Sequence, residues 1–427
     1  MSRVSRQVLL WGQENQKKLR DSTICVTGGS ILSQYTAAGL AALGIGNIIL
    51  INNKKISMCS DGEFLIEKND IGKPKVYSMT RKLKKISPET KIIPLDFPFC
   101  GEILDRMSID LIVDCDVSGH EGKAMKEYSF RRKIPLIRTT KSDTEISVHK
   151  ESLLRRTSYV SNQCIRPHEA AIAAGFTCDI IRKEYIKLPD DNITKRYFTK
   201  FTSIGSSIEY DNKRVLIIGA GALGNFTALC LAQIGAKYID IIDFDTVDLT
   251  NLNRQIMLYD AIGKYKSQVL ANRIRQVSRG IHANGIVGRL TKQTRIKDYD
   301  IVLGCVDKIK ARMDASDLCR KNRIPYIDGA TSSLSGDIYT YLPGHSPCIK
   351  CQRNLESLLR FEAERTQSGC QAASPSVITP NMIIGSAIAN RTTEIFMGVG
   401  ESQPLRYGSA CLSGSRQPEK KQSCGCL

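Results

Sequence analysis

At 427 residues, 42% of them hydrophobic, the chain has room for two or three domains and the composition of an ordinary soluble globular protein. No apolar run approaches the ~20 residues that cross a bilayer, and the N-terminus MSRVSRQVLLWGQ lacks an apolar segment followed by a cleavage site, so no membrane partner and a cytoplasmic location are expected. Fifteen scattered cysteines do not make a secreted disulfide framework, and the net charge of +18 is dispersed rather than interleaved with aromatics, which favours a solvated basic surface or an acidic protein partner over nucleic acid.

The first expected element is an N-terminal helix, SRQVLLWG, carrying Arg6 and Gln7. A strand, turn, helix and strand follow, with Gly28 in the turn and LAALGIGNIILIN across the helix end and second strand. DIGKPK then supplies Lys75, an acidic run brings Asp114, Cys115 and Asp116, and AAGFTCDIIRKEYI reads as a helix. The polar stretch IKLPDDNITKRYF breaks both helical and strand periodicity and sets a boundary near residue 195, dividing the chain into units 1–195 and 196–427.

The second unit opens on its most informative stretch, Arg214 to Gln255. An apolar strand ends at Gly219, which permits a tight turn; Gly221 lets a phosphate approach the backbone, and Gly224 lets helix and strand pack closely. Asp243, about 20 residues after the last glycine, stands where a carboxylate accepts ribose hydroxyls. Asp245, Asn251, Asn253, Arg254, Gln255 and Lys266 follow, and cations just past the second strand suit a nucleoside triphosphate better than a dinucleotide. No GxxxxGK[ST] occurs, so γ-phosphate transfer from a P-loop is not indicated and attack on the α-phosphate stays open.

Further on, IVLGCVD reads as a buried parallel strand with Asp307 at its carboxyl end, the side on which open α/β sheets bind ligands. GDIYTYLPGHSPCIKC reads as paired strands leading into Cys348 and Cys351, half of a zinc site that Cys424 and Cys426 of SCGCL complete, with Cys411 an alternative ligand and buried thiols the other reading. The terminal CGCL formally fits a prenylation box, but its middle positions are not aliphatic. Between the cysteine pair and a last helix, IGSAIANRTTEIFM, the stretch RFEAERTQSGCQAASPSVITPN reads as a loop over the nucleotide site.

The two units are copies. A constant offset of 191 sets Gly219 on Gly28, Asp243 on Asn52, Arg254 on Glu63 and Lys266 on Lys75. Ser30 and Ser33 replace the later glycines of the turn, and Glu63 puts a negative charge where a phosphate-binding arginine stands in the second copy. The first copy is therefore read as degenerate, with Lys75 and the acidic run as relics or structural residues, against the alternative of an independent Rossmann domain with another ligand.

GAGALG, DFDTVDLTNLNRQ, GKYK, CVDK and CIKC, in that order, resemble the signature of the ThiF/MoeB-type and ubiquitin-activating enzymes. The resemblance implies an α/β fold of two tandem Rossmann-like ThiF-type domains in an intramolecular pseudo-dimer, adenylating the C-terminal carboxylate of a ubiquitin-like (β-grasp) or sulfur-carrier protein with ATP and magnesium. It makes Gly219, Gly221, Gly224, Asp243, Asp245, Asn251, Arg254, Gln255 and Lys266 the nucleotide site, and Asp307 the magnesium-positioning carboxylate, although Lys308 stands where an asparagine is common. GCQAASPSV resembles the segment of members that carry the substrate as a thioester, which makes Cys370 the nucleophile, the alternative being a loop cysteine without chemistry. A conjugating or sulfur-transfer acceptor would follow. The family uses its cysteine pairs for structural zinc. In homodimeric relatives an Arg-Gln near the N-terminus reaches the partner's ATP, so Arg6 is expected to cross from the first copy to the second. The alternatives are a relative that activates a peptide or a tRNA carboxylate, and a scaffold that has lost catalysis.

Overall fold

The computed structural model of the chain describes residues 2–58, 62–115, 119–151, 165–189, 191, 196–201, 210, 212–367, 374–408 and 411–414. Cys370, Cys424, Cys426 and Asp116 lie outside them. The first half contributes strands β1 (Thr23–Thr27), β2 (Asn47–Ile51), β3 (Lys91–Leu95), β4 (Leu111–Asp114), β5 (Leu136–Lys141) and β6 (Glu145–Lys150), and β7 (Arg196–Lys200) follows just past the boundary. The second contributes β8 (Arg214–Ile218), β9 (Tyr238–Ile242), β10 (His282–Ile286), β11 (Ile301–Gly304), β12 (Tyr326–Thr331), β13 (Gly336–Tyr341), β14 (Leu405–Gly408) and β15 (Cys411–Gly414).

Among the described residues these strands form one sheet, ordered β10-β9-β8-β11-β12-β13-β14-β15-β7-β6-β5-β4-β1-β2-β3. Each outer block, β3-β2-β1-β4-β5 and β10-β9-β8-β11-β12, is parallel, as expected for continuous apolar strands buried on both faces. The next strands turn antiparallel, and the blocks join where β15 runs parallel to β7, pairing Cys411 with Phe198 and Leu412 with Thr199. β7, just after the sequence boundary at 195, thus bonds β6 on one side and β15 on the other.

The repeat is visible in the backbone. Helices Ile31–Leu43 and Ala222–Ile234, strands β2 and β9, and helices Lys75–Ile86 and Lys266–Val277 keep the offset of 191 residues. It slips by one at β4 and β11, because the loop before β11 is a residue shorter, and recovers at β6 and β13. The expected N-terminal helix spans Ser5–Asp21 but breaks at Gly12, whose φ of 80° no helix accommodates. Two further expectations are corrected. GDIYTYLPGHSPCIKC holds one strand, β13, which pairs with β12, followed by the short helix Ile349–Gln352. The polar start of the supposed loop is helical, Leu355–Gln367; it is polar on most faces and anchored by buried Leu355, so periodicity did not reveal it.

The halves meet through helices. Pro167–Tyr185 and Ile378–Phe396 pack on each other, and each packs on the glycine-turn helix of its own half. The approach is close enough that a Cβ on Gly175 would stand 2.5 Å from Ile383 Cγ1. Polar contacts fix the register: Tyr35 donates to Gln233 Oε1 (2.6 Å), Gln233 donates to the Gly62 carbonyl (2.6 Å), and buried Asp179 accepts from Tyr197 (2.8 Å) and from Tyr407 of the other half (3.1 Å).

Candidate nucleotide site

The site is built at the carboxyl ends of β8, β9 and β11. Gly219 has φ of 100°, and a Cβ there would lie 2.6 Å from the Cys305 carbonyl oxygen; a Cβ on Gly224 would lie 2.0 Å from the Gly219 carbonyl oxygen. Those two glycines are demanded by the protein's own backbone. Gly221 is different: a Cβ there would meet only Gln255 Nε2, at 3.9 Å, so the space beside it is left for something else. Gly221 is also the N-cap of helix Ala222–Ile234 and provides no capping side chain, leaving the first-turn N–H groups to an anion.

Asp243 ends β9's run and is held by two amides: Ala220 N–H donates to Oδ2 (2.6 Å) and Asp245 N–H to Oδ1 (2.8 Å). Burial nevertheless pushes its pKa above the usual carboxylate value, with the amides and Lys266 acting in the opposite direction. Lys266 opens helix Lys266–Val277; its buried ammonium lies 2.9 Å from the Asp245 carboxylate.

A short turn aims the next group. Asp248 accepts from Thr250 N–H (2.8 Å) while its own N–H donates to Asn251 Oδ1 (3.2 Å), a reciprocal cap that closes Leu249–Asn251. Sequence reading placed Asn251 on the ligand and overlooked Asp248; the D-x-x-N spacing was the available signal. Asn253 donates to Gln7 Oε1 of the first half (3.2 Å) and to the Ser376 carbonyl (3.0 Å). Gln255 is buried, and its Oε1 has no hydrogen-bond partner among the described residues.

Among the described residues Arg254 donates to neutral acceptors alone, the Thr250 carbonyl (2.8 Å) and Asn253 Oδ1 (2.7 Å). Burial, then repulsion from Arg6, lower its pKa to about 10, partly offset by Asp248 and Asp307. It remains charged at neutral pH. Arg6 enters from the N-terminal helix: its side chain donates to the Ser374 carbonyl (3.4 Å) and its carbonyl accepts from Ser376 N–H (3.2 Å). Among the described residues neither arginine makes an ion pair. Asp307 is exposed, three residues past β11. The structure therefore brings together Arg6, Gly219, Gly221, Gly224, Asp243, Asp245, Asn251, Arg254, Gln255, Lys266 and Asp307. Cys348 is buried and Cys351 half-buried, on the short helical turn after β13; among the described residues no group of three or more His, Cys, Asp or Glu could hold a metal.

In the first half each of these features is closed. Ser30 caps the equivalent helix, accepting from Leu32 N–H (3.1 Å). Lys75 pairs with Glu63 (2.6 Å), the residue at the position of Arg254, whereas Lys266 pairs with Asp245. Asn52 Oδ1 accepts from Lys54 N–H (2.9 Å), but its amide nitrogen is buried without a partner where Asp243 presents an oxygen. At the position of Gly221 the first half has Ser30, whose side chain occupies the N-cap that Gly221 leaves open.

The chain is 28% identical over 214 residues to the "Adenylyltransferase and sulfurtransferase MOCS3" of Drosophila persimilis, covering 46% of this chain and 47% of that protein. It is 31% identical over 193 residues to a Zea mays protein of the same description, MOCS3-1 (44% and 40%), and 29% identical over 167 residues to "SUMO-activating enzyme subunit 2" of Dictyostelium discoideum (38% and 25%). The chain thus spans about half the length, or less, of these relatives. Among solved structures, E. coli MccB with MccA aligns with a TM-score of 0.44 at 18% identity, covering 51% of this chain and 68% of that one. The pattern of the ThiF family matches residues 4–150 and 206–425, taking in both copies, and the chain belongs to that family.

Proposed function

We propose that the second half binds ATP and adenylates the C-terminal carboxylate of a ubiquitin-like or sulfur-carrier protein, the first half serving as its degenerate partner. The observation that carries this reading is the convergence of Arg6 and Arg254, from opposite halves and without ion pairs among the described residues, beside the open turn at Gly221. Two cations so placed repel each other until an anion lies between them. The glycine turn and helix N-terminus receive phosphate, Asp243 receives the ribose hydroxyls, and Gln255 presents its amide nitrogen beside Gly221 as a donor. A substrate carboxylate oxygen attacks the α-phosphorus, the bond to the bridging oxygen of the β-phosphate breaks, and pyrophosphate leaves with its charge offset by Arg254, Lys266 and Arg6. Bound magnesium would neutralise part of the same charge, and Asp307 is the residue to hold it. The names of the relatives support adenylation; sulfur transfer and thioester formation on Cys370 are the finer parts of the proposal.

Exchange of labelled pyrophosphate into ATP, dependent on a candidate β-grasp protein, tests this reading. Asp243→Asn is expected to weaken ATP binding about 10- to 100-fold, the loss of charge-assisted hydrogen bonds to the ribose. Wild-type ATP affinity in the folded variant would refute the ribose assignment. The zinc proposal, with Cys348, Cys351, Cys424 and Cys426 as ligands, predicts about one zinc per chain and a lowered melting temperature for Cys348→Ser. Elemental analysis of pure folded protein without zinc removes it.

A further inference from the structure

The turn carrying Asp307 is braced from behind by side chains that the nucleotide site does not use. Arg312, buried on helix Ile309–Asn322, donates through Nη1 to the Asp328 carboxylate (2.6 Å) and the Gly329 carbonyl (2.8 Å), and through Nη2 to the carbonyl of Val306, the residue before Asp307. Asp328, on β12, is wholly inaccessible to solvent; it also accepts from Tyr326 (3.0 Å) and faces Arg353 Nε at 3.5 Å. Arg353 ends the short helix that follows Cys348, reaches Asp337 at 2.5 Å and lies over the ring of Tyr339. Lys350 N–H, in the same CIKC segment, donates to Ser316 Oγ (3.0 Å) on the helix of Arg312.

A buried charge cluster of this kind adds little net stability compared with apolar residues of the same volume. What it supplies is geometry. Lys308, the N-cap of helix Ile309–Asn322, gives no side-chain cap, and the backbone bonds beside the turn run from Cys305 N–H to the Ile218 carbonyl (2.8 Å) and from Arg312 N–H to the Lys308 carbonyl (3.3 Å) without reaching Val306. Arg312 does so instead, its planar fork spanning from Asp328 to Val306. A lysine ammonium can satisfy Asp328 but cannot span both points.

We infer that Arg312 and Asp328 are positioning residues that hold the Val306–Asp307 turn against β12 and the CIKC segment, and so fix the Asp307 carboxylate that would hold magnesium. The inference rests on the proposed role of Asp307 for its catalytic consequence, but not for its structural one. In Arg312→Lys, which keeps the buried charges paired, amide hydrogen exchange from Val306 to Lys310 should rise about tenfold or more, with protection elsewhere preserved. The magnesium concentration giving half-maximal pyrophosphate exchange should rise about 10- to 100-fold, the usual cost of losing a side chain that orients a metal ligand. The paired neutral variant Arg312→Gln with Asp328→Asn should show the same changes, and serves if the lysine variant does not fold. Unaltered protection of these amides in either folded variant overturns the inference. Asp307→Asn, measured alongside, separates the two claims: a wild-type magnesium response there refutes the metal role of Asp307, while the hydrogen exchange of the Arg312 variants still decides whether the brace exists.

Discussion

Arg254→Ala is expected to lower ATP–pyrophosphate exchange about 100- to 1000-fold, the range for removing one preorganised donor from developing charge. The guanidinium is half-buried, has only neutral acceptors among the described residues, and is repelled by Arg6. In the free chain it is an electrostatic liability, so its removal should leave the melting temperature unchanged or slightly raised. That combination separates a phosphate-binding arginine from a structural one. A folded Arg254→Ala protein with near-normal exchange would refute the site, and a large loss of stability would assign the residue to the scaffold.

The second large effect concerns Arg6. Its side chain reaches the second half through the Ser374 carbonyl, while its backbone carbonyl accepts from Ser376 N–H, a bond that alanine keeps. Its neighbour Gln7 is buried, donates to the Leu43 carbonyl (2.7 Å) and accepts from Asn253 (3.2 Å), so the helix stays docked in Arg6→Ala. Because the arginine answers charge that grows as pyrophosphate departs, turnover should fall about a hundredfold while ATP affinity changes less. Single-turnover adenylation with ATP titrated over a wide range separates the two. Equal losses in affinity and rate would make Arg6 a ground-state contact, and no loss would leave it a surface residue. The double variant with Arg254→Ala should be much less impaired than the product of the single effects, since both side chains serve one anion.

Much of this was legible in the sequence because its signals are local. A glycine turn between an apolar strand and an apolar helix specifies its own geometry, and the same text displaced by 191 residues gave the second copy. Gly219, Asp243 and Lys266 fall together because one strand-turn-helix-strand unit brings them there. The pairing of β7 with β15 was hidden, since no short-range pattern states which edge strands meet. Lys75 reads in the sequence as a relic or a structural residue; only the fold reveals its ion pair with Glu63 at 2.6 Å. Arg312 was invisible for another reason. In KIKARMDASDLCRKN it is one of several basic residues of an amphipathic helix, and its burial depends on Asp328 arriving from a neighbouring strand.

The joining of both copies in one sheet also bears on how such a chain can change. Where two identical subunits assemble, each substitution appears on both sides of the axis, so a glutamate at the position of Glu63 would enter both phosphate cradles at once. Within a single polypeptide every residue is present once. Under the proposed function, Ser30, Asn52 and Glu63 can therefore stand in the first cradle without touching the second, while Arg6, Gln7, Tyr35 and Asp179 still make their contacts with the other half. On that reading covalent linkage divides the labour: one half would hold the nucleotide, and the other would supply a surface to it.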